Sequence, residues 1–269
     1  MSSVTHDGPE LAALYDRISD LQFNDGRKLA EMMGTRTGDA VLDVGCGTGR
    51  LAVYLASIVG SSGSVTGIDP SPYRVDIARR KLKEKGLKSV RFMAGRGEDL
   101  GAFRDMEFDR VIYSSVFHWI DDKPAALEEA YRVLKPGGRV GMNTVDKDHH
   151  SAMKQIMEDL IVRKYPEHRH LDDEFSRMLV NGPDLEKLLD EAGFRDVRVE
   201  AVFEKHAYDS AKQLFDFIEA SSFGNFMPQL PGPVKSRMLE DLGQELEKMR
   251  TPAGIEMIAK MLFATATKS

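Results

Sequence analysis

The chain has 269 residues, 42% hydrophobic and 30% charged, with a formal net charge of -6. This is the balance of a globular protein with a sizeable core, and an acidic chain has no general attraction for phosphate backbones, which argues against nucleic acid as the partner. The single cysteine, Cys46, excludes an internal disulfide and a cysteine-built zinc site. No metal, no membrane span and no leader is expected from the polar start, so a cytoplasmic location is the default reading.

Leu11, Leu14, Ile18 and Leu21 recur at helical spacing, and a second helix is predicted from about Asp25 to Met33, stopped by Gly34. Ala40–Val44 reads as a buried strand running into a glycine-rich turn, followed by a helix over Arg50–Val59. The alternation continues with a strand at Ser64–Asp69 and a helix to Lys85 capped by Ser71. Strands follow at Val90–Met93 and Phe108–Tyr113, then a helix over Lys123–Leu134 and a fifth strand at Arg139–Thr144. This rhythm predicts an α/β fold with a Rossmann-like, doubly wound, mostly parallel sheet of seven strands.

After Thr144 the rhythm breaks. Residues 146–182 read as polar helix, Pro183–Ala192 as helix, Val197–Val202 as strand, 210–250 as two helices around the loop Met227–Pro233, and Ile255–Thr265 as a last strand. One domain over 1–269 is expected. Its core would be about 26–145, 183–208 and 253–269, with a helical cap from about 1–25, 146–182 and 209–252.

Open parallel sheets bind ligands at the carboxyl ends of their strands. The first strand ends in Asp43-Val44-Gly45-Cys46-Gly47-Thr48-Gly49. Glycines let the backbone turn sharply and approach a ligand closely, but a glycine pattern alone is shared by several nucleotide enzymes. The spacing here is GxGxG, not the GxGxxG of dinucleotide folds. Asp43, two residues before the first glycine, would repel a pyrophosphate and favour an ammonium and a sulfonium. S-adenosylmethionine (SAM) carries both. The second strand ends in Asp69-Pro70-Ser71, and an acid there can accept from both ribose hydroxyls. The bland alternative makes Asp43 and Asp69 ordinary turn residues.

VLDVGCGTGRLA followed by VTGIDPSPYRVDIAR resembles the class I SAM-dependent methyltransferase family, from about Ala40 to Thr144. The resemblance implies that Asp43, Gly45 and Gly47 meet the methionine part of SAM and Asp69 the ribose, with Cys46, Thr48, Gly49, Pro70 and Ser71 completing the two turns. Ala94–Leu100 follows the third strand. Many relatives have an acid where Arg96 stands, so the adenine contact would pass to the Gly97 N–H and to Glu98. Ser114 and Ser115 stand where a backbone carbonyl meets the methionine ammonium.

The pair His118-Trp119 resembles the subgroup that includes trans-aconitate methyltransferase and the malonyl-carrier-protein methyltransferase, which methylate carboxylates. His118 is the candidate catalytic base or acceptor contact, and Tyr15, His118 and Trp119 are the candidate acceptor-site residues; packing is the competing reading for each. Phe215, Phe217, Phe223, Phe226 and Met227 read either as an apolar acceptor pocket or as cap core. His149-His150 and the run Arg163–His170 read as solvated surface. The function expected is methyl transfer from SAM to a small molecule. A methyltransferase-like binding protein without transfer, and a nicotinamide-dependent oxidoreductase, are the alternatives.

Overall fold

The computed structural model describes residues 6–168, 178–225 and 230–269. Two helices open it, α1 (Pro9–Ile18) and α2 (Asp20–Met32). The second begins at Asp20 and not at Asp25, because buried Ser19 alone interrupts the helical run. The repeating part follows as β1 (Ala40–Val44), α3 (Arg50–Val59), β2 (Ser64–Asp69), α4 (Pro72–Lys85), β3 (Val90–Ala94) and β4 (Phe108–Ser114). It closes with α5 (Lys123–Val133) and β5 (Leu134–Val145), a strand that already includes the Lys135–Gly138 turn.

The rest of the chain contributes α6 (Ala152–Lys164), α7 (Gly182–Glu191), β6 (Arg195–Tyr208), α8 (Ala211–Ser221), α9 (Gly232–Glu247) and β7 (Ile255–Thr267). Strand β6 is much longer than the predicted Val197–Val202. It pairs with β7 antiparallel as far as Tyr208 opposite Ile255, so the hairpin runs on past the body of the sheet. The seven strands lie in the order β3-β2-β1-β4-β5-β7-β6. The first five are parallel, and β7 joins β5 antiparallel.

Alternation along the buried strands feeds two cores. Val41, Val65 and Ile112 face Leu29 of α2 and Met33 just beyond its end, Leu55 of α3 and Ala78 of α4. Leu42, Val111 and Val140 face Leu127 of α5 and Leu189 of α7 on the other side. A third cluster unites α6, α8 and α9 with Tyr208, Ile255 and Met257 at the far end of the long hairpin. Phe215 and Phe217 pack against this cap core and not with Phe223, while Phe226, Met227 and His170 lie outside the described residues. His149 Nε2 bonds the Ile258 carbonyl at 3.1 Å, and His150 lies 3.9 Å from Glu158. Both histidines have surface partners.

The sheet reverses its winding between β1 and β4, and the crevice at that switch point opens at their carboxyl ends. Helix α2 seals the sheet beneath it tightly. A Cβ at Gly141 of β5 would lie 2.3 Å from Met33 Sδ and 3.1 Å from Leu29 Cδ1. Gly141→Val is therefore expected to lower stability by ~1–3 kcal/mol through overpacking. An unchanged midpoint in urea unfolding would show that α2 can shift freely.

Candidate functional site

The turn after β1 is built from left-handed glycines. Gly45, Gly47 and Gly49 have φ of 71°, 53° and 79°, a region that side chains with a Cβ rarely enter. Space forbids a side chain as well: a Cβ on Gly45 would lie 2.3 Å from Val116 Cγ2, and one on Gly49 2.6 Å from Phe92 Cζ. The N–H groups of Gly45 and Cys46 both donate to the Ile68 carbonyl, at 2.8 and 2.9 Å, which ties this turn to the end of β2.

Asp69 at that end is 1% exposed. Its Oδ2 accepts from Gly47 N–H at 2.9 Å and its Oδ1 from Ser71 N–H at 2.8 Å. The carboxylate thus braces both turns, and each oxygen keeps a further lone pair. Burial pushes its pKa up, against the pull of Arg74 and the two N–H groups. Asp43 is equally buried, but its Oδ2 has no hydrogen-bond partner. Burial and the neighbouring Asp69 charge raise its pKa to about 7.

Asp43 lines a narrow cavity with Tyr15, Ser19, Gln22, Gly45, Thr48, Arg50 and Ser114. The hydroxyls of Thr48 and Ser114 are, like Asp43 Oδ2, buried without a partner. Gln22 Oε1 is unpartnered as well, and since buried polar groups are normally satisfied, four such atoms around one cavity are what a polar ligand would complete. An acid, two hydroxyls and the Arg50 guanidinium suit an amino-acid end, with its ammonium and its carboxylate. A second cavity, on the other side of Gly45, is lined by Pro70, Gly95, Arg96, Gly97, Glu98, Val116, Trp119, Ile120 and Phe223. Its mixture of flat apolar faces and backbone suits a nucleobase. Together the two cavities and Asp69 fit SAM.

The other candidate residues border the same two cavities. Trp119 lines the nucleobase-side cavity, its ring edge-on to Phe223 at 5.8 Å. Arg96 turns to Glu98 at 3.4 Å and Asp121 at 3.3 Å, and Glu98 also accepts from the Asp121 N–H. Glu98 is thus already engaged by protein donors. Tyr15 lies over the glycine turn, Cε1 being 3.1 Å from where a Gly47 Cβ would stand. The Cys46 thiol is buried, which pushes its pKa up and leaves it unreactive.

His118 is half-buried, with Nδ1 3.3 Å from Thr144 Oγ1. Burial, helped by Lys123, lowers its pKa to about 3. Both effects favour the neutral imidazole, the form that can accept a proton or donate one ring N–H. Among the described residues no cluster of three or more acids, histidines or cysteines could hold a metal, and no helix is long and apolar enough to cross a membrane.

Arg74 is the residue that sequence reasoning missed. It lies on α4, and its side chain is 2% exposed. It pairs with Asp7 at 3.0 Å, donates to the Ala220 carbonyl at 2.7 Å, and lies between the rings of Tyr15 and Phe223 at 4.2 and 3.9 Å. Asp7 in turn accepts from Ser71 Oγ at 2.6 Å. One guanidinium therefore ties the N-terminal segment, α1 and the end of α8 over both cavities. Nothing in SPYRVDIAR distinguishes this arginine from a surface helix residue.

The family described as "Methyltransferase domain" matches residues 42–142. The chain is 34% identical over 201 residues to 2-phytyl-1,4-beta-naphthoquinone methyltransferase, chloroplastic, of Arabidopsis thaliana, across 68% of this chain and 77% of that one. It is 31% identical over 201 residues to the ubiquinone/menaquinone biosynthesis C-methyltransferase UbiE of Marinomonas sp. (strain MWYL1), across 68% and 79% of the two chains. Among solved structures, a SAM dependent methyltransferase from Aquifex aeolicus matches with a TM-score of 0.58 at 19% identity, covering 97% of this chain and 99% of that one. At that identity the likeness concerns the fold alone.

Arg74→Met is expected to cost ~3–5 kcal/mol, because Asp7 is left as a buried, unpaired charge. Adding Asp7→Asn should recover part of the loss. Urea unfolding checks both, and an unaltered midpoint in the single variant would mean that other contacts hold the cap.

Proposed function

We propose, from the premise that the chain belongs to the class I SAM-dependent methyltransferase family, that it methylates a ring carbon of a small quinol-type acceptor. Bound SAM supplies a methyl group already activated on a sulfonium. In this reading Asp43 Oδ2 and Ser114 receive the ammonium, and Thr48 and Arg50 the carboxylate. Asp69 offers its spare lone pairs to the ribose, while Gly97, Pro70 and Trp119 enclose the adenine. Cys46, Gly45, Gly47, Gly49 and Ser71 shape the two turns, and Tyr15 closes over them. Family membership sets aside the nicotinamide-dependent and non-transferring alternatives.

The observation that carries the acceptor class is the similarity to two relatives named for quinone methylation. A neutral His118 can still donate one ring N–H to an acceptor oxygen. His118 is retained as an acceptor contact that orients through hydrogen bonding to Thr144. Alignment and exclusion of water then do most of the catalytic work. The rival reading, a carboxylate acceptor, rests on the His118-Trp119 resemblance.

Incubation with SAM and a 1,4-naphthoquinol bearing a free ring carbon should give a carbon-methylated, base-stable product, identified by mass spectrometry. Methylation of small di- or tricarboxylates to base-labile esters, with the quinol untouched, would favour the rival. Asp43→Asn is expected to weaken SAM binding by at least about tenfold, the scale of a lost charge-assisted bond. The pH dependence has a definite sign. Asp43 titrates at about 7 in the free protein and must be ionised to take an ammonium. Wild-type affinity should therefore fall as pH drops through 7, and calorimetry on Asp43→Asn should show that decline removed.

A further inference from the structure

The turn that joins β4 to the Phe117–Trp119 segment holds a residue in an unfavourable conformation. Ser115 has φ of 53°, which costs a residue with a Cβ and persists only when its surroundings impose it. Asn143 on β5 imposes it. Ser115 N–H donates to Asn143 Oδ1 at 3.0 Å, and Asn143 Nδ2 donates back to Ser115 Oγ at 3.1 Å. Asn143 is fully buried, and Nδ2 also reaches Asp25 Oδ2 at 3.3 Å. Asp25, on α2, faces Glu204 on β6, whose charge and hydrogen bonding push its pKa up, and Glu204 lies 3.5 Å from His206 Nε2.

A continuous chain thus runs from β6 through α2 and β5 to the turn after β4. Two carboxyl groups can bond each other only while one carries a proton. Burial first, then the Glu204 charge, raise the Asp25 pKa to about 7, and Lys28 on the same helix opposes this. Asn143 and Ser115, which face Asp25 from the sheet, carry no charge; His206 stands beyond Glu204.

The turn matters because of what flanks it. Ser114 lines the cavity that holds Asp43, and its hydroxyl is one of the four unsatisfied atoms there. Val116 presses on the glycine turn at Gly45. Relaxing Ser115 to an ordinary conformation would turn both neighbours.

We infer that the Asp25–Glu204 acid pair, while it shares a proton, is a positioning device that holds the Ser115 turn, through Asn143, in the shape that binds SAM. The inference rests on the reading of the Asp43 cavity as the SAM methionine site and is independent of the acceptor. Rising pH removes the shared proton, two carboxylates then repel, and Asn143 loses its anchor. Asn at position 25 mimics the protonated acid permanently: its amide donates to Glu204 and its oxygen accepts from Asn143.

The test is calorimetric affinity for S-adenosylhomocysteine between pH 6 and 9 in wild type, Asp25→Asn, Glu204→Gln and Asp25→Leu. Asp43 titrates in the same window with the opposite sign, so the readout is the ratio of wild type to Asp25→Asn at each pH, in which Asp43 cancels. Equal affinity at pH 6 and a wild type severalfold weaker than Asp25→Asn at pH 9 are expected, with Glu204→Gln behaving like Asp25→Asn. Asp25→Leu should bind about tenfold more weakly throughout, as for a lost buried hydrogen bond; if it does not fold, Glu204→Gln still decides. A ratio constant with pH, or Asp25→Asn weaker than wild type at pH 6, would overturn the inference. Failure of the wild type to bind at all would instead overturn the cavity reading, and this inference with it.

Discussion

Two carboxylates buried on adjacent parallel strands govern this structure. Asp43 and Asp69 close β1 and β2, each 1% exposed, with the glycine turn between them. Burial opposes the ionisation of both, and the Asp69 charge adds to it at Asp43. Asp69 meets this cost with two backbone N–H donors and the nearby Arg74 charge. Asp43 has no such donors on its outer oxygen. A buried acid left unsatisfied at the mouth of a crevice is a mark of function, because only a ligand cation completes it. The backbone around it follows from the same need: left-handed glycines leave room where any Cβ would meet Val116, Tyr15 or Phe92.

The cap is coupled to this pair through one arginine. Arg74 lowers the Asp69 pKa from inside α4 while holding Asp7, Tyr15, Phe223 and the Ala220 carbonyl. Closure over the site and the electrostatics of the ribose acid therefore share a group. On the opposite flank, the Asp25–Asn143–Ser115 chain fixes the wall formed by the turn after β4. Both devices bring cap or edge elements to bear on a turn belonging to the parallel core.

What could be read from the amino acids was local. The β-α alternation from Ala40 to Thr144 carries its own periodicity and glycine stops, so those elements agree with the structure to within a residue or two, except that β5 already starts at Leu134, ahead of the glycines that predict its start at Arg139. Asp43, Gly45, Gly47 and Asp69 stand next to one another in sequence or at matching strand ends, and their chemistry is legible there. The rest depends on long-range contacts. The length of β6 is set by its partner β7, since the consecutive polar residues Glu204-Lys205-His206 break any strand-like alternation in its outer half. Trp119 faces the nucleobase side because of how the short turn after β4 rolls. The neutrality of His118 comes from burial and from Lys123. Arg74 and Asp25 look like surface residues until α8 and β6 are folded against them.

Asp43 is a buried, unsatisfied acid awaiting a cation, and its carboxyl carbon can report this directly. A carbon-13 NMR titration of the ligand-free protein should place Asp43 near 7, assigned by loss of the resonance in Asp43→Asn. Saturation with S-adenosylhomocysteine, whose ammonium would pair with it, should move that value well below 7. An ordinary aspartate titration of about 4 in the free protein, or a midpoint that ignores the ligand, would contradict the account.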